Sequence, residues 1–337
     1  MGTQAYLIDE LTDHEISVIH AANKTAADAS SGLLAMYRRI QKLLQDTPTS
    51  QYYRLSNDIE ALLLNEMRGV AFAVRADLDE LALIEAQFAQ NLLVTATTID
   101  TIGRLPESIL ATFSKKPINN FVSGKEVSQP TVNELLAILG KTNARKIRNI
   151  VRDASLQGKT AKQISKGIKH LAVGVSRREI EATVLTAFNH YSTQANDAVY
   201  MQNADILDGI KLVATLDSRT TIVCMGFDGE VFPLGSGPRP PFHYRCRTLA
   251  VPQVKEKYRI PIKGRTRASE TGPVDAQTKY SGFLRSRGKE RQDQILGPTR
   301  AKAFRRGLTI DKFTNDQGVQ LTIKQLSRLY PSKFPIQ

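Results

Sequence analysis

The sequence predicts a mainly α protein with a small β core near its middle. Over most of the first 100 residues, apolar side chains recur at intervals of three and four, the period of an amphipathic helix. Between Thr215 and Pro252 closely spaced turn formers replace this period, including Asp228-Gly229 and Pro240-Pro241. Helical patterns then return. We therefore expect a long N-terminal helical hairpin, a helical middle, a short antiparallel sheet with a Cys/His turn, and a basic α-helical tail.

Charge is distributed unevenly along the 337 residues, whose formal net charge is +13. Residues 1–100 hold 7 basic and 14 acidic side chains, a net charge of −7, whereas residues 251–337 hold 19 and 7, a net charge of +12. An acidic front and a basic end indicate two different partners. The start of the chain lacks the pattern of a signal peptide, and no apolar run is long enough to span a bilayer, so we expect no membrane association.

Residues 1–101 are predicted to form the hairpin. Thr12 and Glu15 have the spacing of a capping box, so the first helix is expected to begin there and to end before Pro48. The second helix is expected from about Ser56 to Leu93. Two long helices with a short connection form either a docking arm or part of an ordinary helical bundle, and the sequence leaves both open.

Residues 102–130 are predicted to be a linker, because prolines and a glycine interrupt a weak pattern around one short helix. Residues 131–252 follow as the core. Three capping boxes are expected to open helices there, at Thr131, Thr160 and Ser176. A separate helix is expected from Asn143 to Gln157. The short helices near Gly158 also fit a DNA-reading helix-turn-helix, although small bundles use the same caps and turns.

Three short strands are predicted in the β core. Alternating apolar residues from Ile210 to Leu216 indicate the first strand, and residues 230–232 can pair back onto it after Asp228-Gly229. Residues 248–251 form the third candidate, which Pro252 is expected to close because proline lacks a ladder donor.

Cys224, His243 and Cys246 form the one cluster of soft ligands in the sequence. His-x-x-Cys places two ligands on one turn, and a preceding element can bring in Cys224, so one zinc ion is a candidate cofactor. Zinc usually takes a fourth ligand at a structural site, and Asp217 or His190 can supply it. Two alternatives stay open: packed thiols beside a hydrogen-bonded histidine, or a disulfide formed in an oxidising medium.

The same stretch carries a family pattern that fixes about a dozen positions in order. It consists of Asp217-x-Arg219-Thr220, Cys224, Asp228-Gly229-x-x-Phe232, and Pro240-Pro241-x-His243-x-x-Cys246-Arg247. It resembles the core of the phage Mu F-like minor head proteins, also called phage head morphogenesis proteins. The resemblance extends upstream to about Leu156 and more loosely to the end of the chain. The first 121 residues carry no family signal.

The resemblance implies a virion protein that is present in few copies inside the capsid near the portal, and in the host cytoplasm during assembly. Its expected partners are the portal protein, the major capsid protein and packaged double-stranded DNA. It would assist head morphogenesis and DNA packaging or ejection, and we expect no enzyme. The alternative is a metal-dependent hydrolase, a nuclease or a peptidase, although a Cys-His pair alone lacks an orienting third group. A DNA-binding accessory protein outside the virion is the third possibility.

Residues 253–337 are predicted to be a basic loop followed by short helices. Arg265 and Arg267 are expected on a mobile loop, residues 264–273, and both are candidate DNA contacts. Helices are expected near residues 280–284, 293–296, 299–306 and 323–329. The remaining candidate DNA contacts fall within two helical turns, where part of their charge can form one stripe: Arg300, Lys302, Arg305 and Arg306. In the core, Asp217 and Arg219 are expected to pair, and Arg245 and Arg247 to flank the Cys/His cluster.

Overall fold

Two long helices form the N-terminal hairpin in the computed structural model, which describes residues 2–110, 112–119, 121–123, 126–171, 176–262, 266–315 and 318–334. Helix α1 spans Gly2–Asp46 and α2 spans Tyr52–Ala96, with a 3₁₀ turn between them. Each helix is about 68 Å long at 1.5 Å per residue. The predicted stop before Pro48 is confirmed.

The predicted start at Thr12 is wrong. Leu7, Ile8 and Leu11 are buried, so the apolar stripe of α1 continues to its first turn, and Thr12 lies inside the helix. The Thr12 hydroxyl donates a hydrogen bond to the carbonyl of Ile8 at 2.6 Å instead of capping a helix. A serine or threonine inside a helix often bonds back to the preceding turn in this way.

The hairpin shares one hydrophobic core with the middle of the chain. Residues 102–130 carry the short helix α3 (Glu107–Leu110) and a β-ribbon of β1 (Phe121–Ser123) and β2 (Glu126–Ser128). Helices α4 (Val132–Leu156), α5 (Ala161–His170) and α6 (Arg177–Gln202) follow. Buried side chains of α1 and α2 pack with those of α4 and α6 in a single cluster. Part of the hairpin is thus an integral layer of the bundle.

Two local predictions in this region fail for packing reasons. A separate helix from Asn143 does not form, because α4 runs unbroken through Gly140. A Cβ at that glycine would lie 3.1 Å from the Cβ of Met67, so Gly140 permits a close approach of α2 and α4. The capping boxes at Thr131 and Thr160 are confirmed. Ser176 makes no cap, because its buried hydroxyl donates to Asn143 Oδ1.

The small sheet has the order β4-β3-β5 and is antiparallel. Strand β3 spans Leu207–Val213, β4 spans Val231–Phe232 and β5 spans Leu249–Val254, and the short helix α7 (Ile222–Phe227) lies between β3 and β4. Pro252 does not close β5 as predicted. It lies opposite Ile210 on an edge strand. The amide donor that proline lacks would face the side of the sheet without a neighbouring strand, so no hydrogen bond between strands is lost.

The basic end folds around a second hydrophobic cluster. A β-ribbon of β6 (Thr266–Arg267) and β7 (Val274–Asp275) precedes four short helices, all at the predicted places. These are α8 (Tyr280–Arg285), α9 (Lys289–Leu296), α10 (Pro298–Arg305) and α11 (Ile323–Leu329). Their buried side chains pack with Leu216, Ile222 and Met225 of the core, so the tail packs against α7.

The fold class is therefore the predicted one, mainly α with small antiparallel sheets. In the described ranges, no helix combines the length and the apolar character needed to cross a membrane.

Candidate metal centre and adjoining cavity

Cys224, His243 and Cys246 meet at one point between α7 and the turn that precedes β5. The ligand atoms of all three lie within 4.8 Å of one another, close enough to hold a metal ion. Cys224 Sγ is 3.1 Å from His243 Nε2 and 3.7 Å from Cys246 Sγ. The two cysteines are free and buried. A sulfur separation of 3.7 Å is far beyond the roughly 2.05 Å of a disulfide bond.

Local backbone geometry places each ligand. Thr221 is the N-cap of α7, and its hydroxyl accepts a hydrogen bond from the Cys224 amide at 3.5 Å. The Cys246 amide donates to the His243 carbonyl at 3.2 Å, which closes the His-x-x-Cys turn. Arg245 in that turn has a φ of 58°, in the left-handed region that non-glycine residues rarely adopt. Its amide donates to the hydroxyl of Thr186 on α6 at 3.1 Å, so α6 holds the turn.

The imidazole of His243 is oriented for a ligand at Nε2. Its Nδ1 lies 2.8 Å from the Tyr244 carbonyl oxygen, which can only accept, so Nδ1 carries the proton. Nε2 therefore keeps its lone pair toward Cys224 and toward the Thr221 hydroxyl at 2.9 Å. A carbonyl that fixes the tautomer in this way is typical of histidine at metal sites.

The two thiols differ in their tendency to ionise. Burial would raise the pKa of Cys246, but the hydrogen bond from Cys224 and the interaction with His243 outweigh it and hold that pKa well below its usual value. The hydrogen bond to Cys246, together with burial, raises the pKa of Cys224. Cys246 is thus the first thiolate of the cluster, and thiolate is the form that binds metal.

Neither predicted fourth ligand reaches the cluster. The Asp217 carboxylate accepts a bidentate pair of hydrogen bonds from Arg247, at 2.7 and 2.8 Å. Burial would raise the pKa of Asp217, but the bonds from Arg247 outweigh it and lower the pKa. His190 is buried elsewhere, with Nε2 3.2 Å from the Lys116 carbonyl. No further His, Cys, Asp or Glu of the described ranges joins the three ligands within 4.8 Å.

The predicted Asp217–Arg219 contact is present but long, at 3.6 Å, and the Arg219 side chain is 81% exposed. The stronger partner of Asp217 is Arg247. Asp217 therefore fixes the residue that follows Cys246, and it positions the turn without being a ligand.

A cavity of about 560 Å³ adjoins the cluster. Thr221, His243 and Cys246 line it on one side, whereas Cys224 does not face it. Helices α1 and α6 form an apolar wall with the side chains of Val18, Ile19, Ala22, Leu185 and Phe188. Arg219, Arg245 and Arg247 also line the cavity.

Glu15 also lines this cavity, although its position in the sequence indicated only a helix cap. Burial, together with the charge of Glu85, raises the pKa of Glu15 to about 8. Glu15 lies between Leu11 and Val18 on the apolar stripe of α1. A carboxyl on a buried helix face is the signal that could have identified it. Glu85 of α2 is a second carboxyl on a buried helix face, and its oxygens lie 2.5 Å from His14 Nε2 and from Ser192 Oγ.

The candidate DNA contacts do not form one surface. Arg265 lies outside the described residues. Arg267 is not on a mobile loop: it is buried in β6 and pairs with Asp228 at 2.6 Å, because that carboxylate needs a counter-charge in the core. Arg300 donates to the Leu321 carbonyl at 2.7 Å, and Arg305 pairs with Asp293 at 2.9 Å.

Lys302 and Arg306 are exposed, and they lie four residues apart along the α10 segment, so they share one face. Lys333 joins them, because its ammonium group donates to the Arg306 carbonyl at 2.6 Å. We call Lys302, Arg306 and Lys333 the basic patch. Lys302 and Arg306 belong to the predicted stripe, whereas the half-buried Lys333 was not predicted.

Comparison with known proteins gives no family model, no curated protein and no solved structure that matches this chain.

Proposed function

We propose that this chain is a minor head protein of a tailed bacteriophage, located inside the capsid beside the portal. It assists head morphogenesis and takes part in DNA packaging or ejection. The resemblance of residues 217–247 to the phage Mu F-like minor head proteins motivates the proposal, and the geometry of those residues supports it.

The observation that carries the proposal is that the residues of the family pattern converge on one structural unit. Asp217 binds Arg247, which follows Cys246 directly. Asp228 accepts hydrogen bonds from the amides of Ala214 and Tyr280, at 2.7 and 2.6 Å, and so joins the sheet to the tail. Residues of the pattern thus hold one another and the surrounding backbone in place. Such mutual support is expected of residues that together specify one fold unit.

Zinc is the metal we propose for the centre. Two thiolates and a neutral imidazole are the donor set that zinc prefers. In a tetrahedral zinc site the sulfur atoms lie about 3.8 Å apart, close to the 3.7 Å between Cys224 and Cys246. The ion would fasten α7 to the His243–Cys246 turn and thereby stabilise the core.

The acidic hairpin is the proposed portal-binding surface. Phe72, Leu83 and Val94 of α2 are exposed, by 73%, 49% and 42%. They recur every eleven residues, or about three helical turns, so they follow one side of α2. We call these three residues the exposed stripe of α2. Because residues 1–100 carry a net charge of −7, this surface favours a protein partner over DNA.

The proposal is tested by producing the tagged full-length chain together with the portal and capsid proteins of the phage that encodes it. We expect the chain to copurify with the portal in assembled heads. A chain that stays wholly outside the heads would contradict the proposal.

The second candidate function is a metal-dependent hydrolase, and a specific observation favours it: the three-ligand centre adjoins a cavity that also holds Glu15. Catalytic zinc sites keep three protein ligands and one open position. Incubation with plasmid and with a general protease substrate, with zinc or magnesium, distinguishes the two functions. Hydrolysis that disappears in His243→Ala would favour the enzyme, and inert substrates would favour the head protein.

A further inference from the structure

The cavity beside the Cys/His centre has the features of a ligand site. Its walls differ in chemistry: the side from α1 and α6 is mainly apolar, with Glu15, Asn23 and Asn189 as its polar residues, and the other side carries arginines and two of the three candidate metal ligands. At about 560 Å³ it is within the size range of small-molecule sites. Such sites combine an apolar lining with a few convergent polar groups.

We propose that this cavity binds a carboxylate attached to an apolar body, with the carboxylate at the open fourth position of the metal and near Arg219 and Arg245. The inference rests on the metal centre of the proposed function and adds a ligand to it.

The ligand count supports an open position. A tetrahedral ion with three protein ligands has one coordination position left. Glu15 is not close enough to all three ligands to occupy it. His243 and Cys246 line the cavity and Cys224 lies behind them. The fourth position therefore falls on the cavity side, where the Thr221 hydroxyl can donate a hydrogen bond to a bound oxygen.

The charges favour an anion. A divalent ion with two thiolates and one neutral imidazole is neutral overall, so the charged side chains of the lining decide the local potential, and three arginines face one carboxyl, Glu15. Arg247 is neutralised by Asp217 through two short hydrogen bonds. Arg245 donates to the Arg178 carbonyl at 3.1 Å and to Glu181 at 3.3 Å, and the ion pair of Arg219 among the described residues is its 3.6 Å contact with Asp217. Their guanidinium groups are the two that remain most available to a carboxylate.

The apolar wall argues for a ligand with a hydrophobic part. Val18, Ala22 and Phe188 are buried by the fold, and Ile19 and Leu185 line the cavity with them. A free inorganic anion would leave this wall in contact with water, whereas an aromatic or aliphatic body would cover it.

The experiment uses the full-length chain loaded with Co²⁺, whose visible absorption reports changes in its ligands. The probes are acetate, 3-phenylpropionate and inorganic phosphate. We expect about one Co²⁺ per chain and none in Cys246→Ser. We then expect 3-phenylpropionate to change the spectrum and to bind at least tenfold more tightly than acetate.

The variant Arg219→Ala/Arg245→Ala should weaken 3-phenylpropionate at least tenfold and leave the Co²⁺ affinity unchanged. Arg328→Ala, on exposed α11, is the matched control and should have no effect. A chain that binds no Co²⁺ would overturn the metal centre and this inference together. Bound Co²⁺ whose spectrum no probe alters would overturn the inference alone, and so would a response to phosphate without one to 3-phenylpropionate.

Discussion

His243, Cys224 and Cys246 come from two segments about 20 residues apart, and both segments are fixed by other residues. Thr221 starts α7, Arg247 is held by Asp217, and α6 supports the turn through Thr186. The sequence predicted the three ligands, because soft ligand types cluster there. It did not predict that Asp217 would act through Arg247, because either a metal or an arginine can bind a carboxylate.

The Asp228–Arg267 pair is the clearest residue-scale test of how the tail is attached. Both side chains are buried, and the carboxylate also accepts two backbone amides. Arg267→Ala leaves a buried charge without its partner, so we expect a loss of about 3–5 kcal/mol in the free energy of unfolding. Denaturant unfolding measures this loss.

The control for that experiment is Lys279→Ala, because Lys279 and Glu230 form an ion pair that is half exposed at 3.3 Å. It should cost less than about 1 kcal/mol. Equal effects of the two substitutions would show that the buried pair does not hold the tail. Arg267 lies 39 residues from Asp228 in the chain, which is why charge pattern alone placed it on a loop.

His190 gives the protein a predictable pH dependence. Burial lowers the pKa of His190 to about 4 from the usual 6.5. Between these values the unfolded chain binds a proton that the folded chain does not, so stability falls as the pH falls from about 6.5 to about 4.

His190→Gln should remove this contribution, at most about 1.4 kcal/mol per pH unit. We expect the unfolding free energies of wild type and variant to converge, or to cross, as the pH is lowered from 7.5 to 5. Parallel curves over that range would contradict a buried neutral histidine.

At the scale of elements, periodicity predicted which segments are helical better than where they begin. The tail helices, the end of α1 and two of the four capping boxes agree with the sequence patterns. The failures at Thr12, Gly140 and Ser176 share a cause, because packing decides the role of each residue. The buried side of α1 continues past Thr12, and tertiary contacts with Met67 and Asn143 decide the roles of Gly140 and Ser176. Such contacts lie outside any local window of sequence.

The proposed portal binding of the hairpin can be tested by substituting exposed residues of α2. It shares the main core with α4 and α6, so deleting it would expose that core and destabilise the remainder. We expect Phe72→Ser/Leu83→Ser/Val94→Ser to leave the melting temperature within a few degrees of wild type, because the side chains in the exposed stripe of α2 face solvent. Copurification with the portal should be lost.

Leu156→Ser is the matched control, since Leu156 is 73% exposed but belongs to α4 and not to α2. It should retain portal binding. Normal incorporation of the triple variant into heads would refute the docking role of α2.

At the scale of the whole molecule, the charge asymmetry remains the main clue to partners. The tail is a folded unit that carries the basic patch, and such a patch suits contact with the DNA backbone without choice of sequence. We expect weak binding of the full-length chain to double-stranded DNA that falls steeply with salt. Each neutralised phosphate contributes about 0.9 to the slope of log K against log salt.

Lys302→Ala/Arg306→Ala should reduce that slope by about two. Arg300→Ala is the control, because Arg300 is bonded to the Leu321 carbonyl, and it should leave the slope unchanged. A slope that neither substitution alters would place the DNA contacts elsewhere or show that the basic patch binds protein.

The central claim is that this chain belongs to the phage particle. Its most direct test is the protein composition of purified virions of the phage that encodes the chain, with the amount quantified against the portal protein. The account predicts that the chain is present in a small, constant number of copies per portal. Complete absence of the chain from virions that contain normal amounts of portal would contradict it.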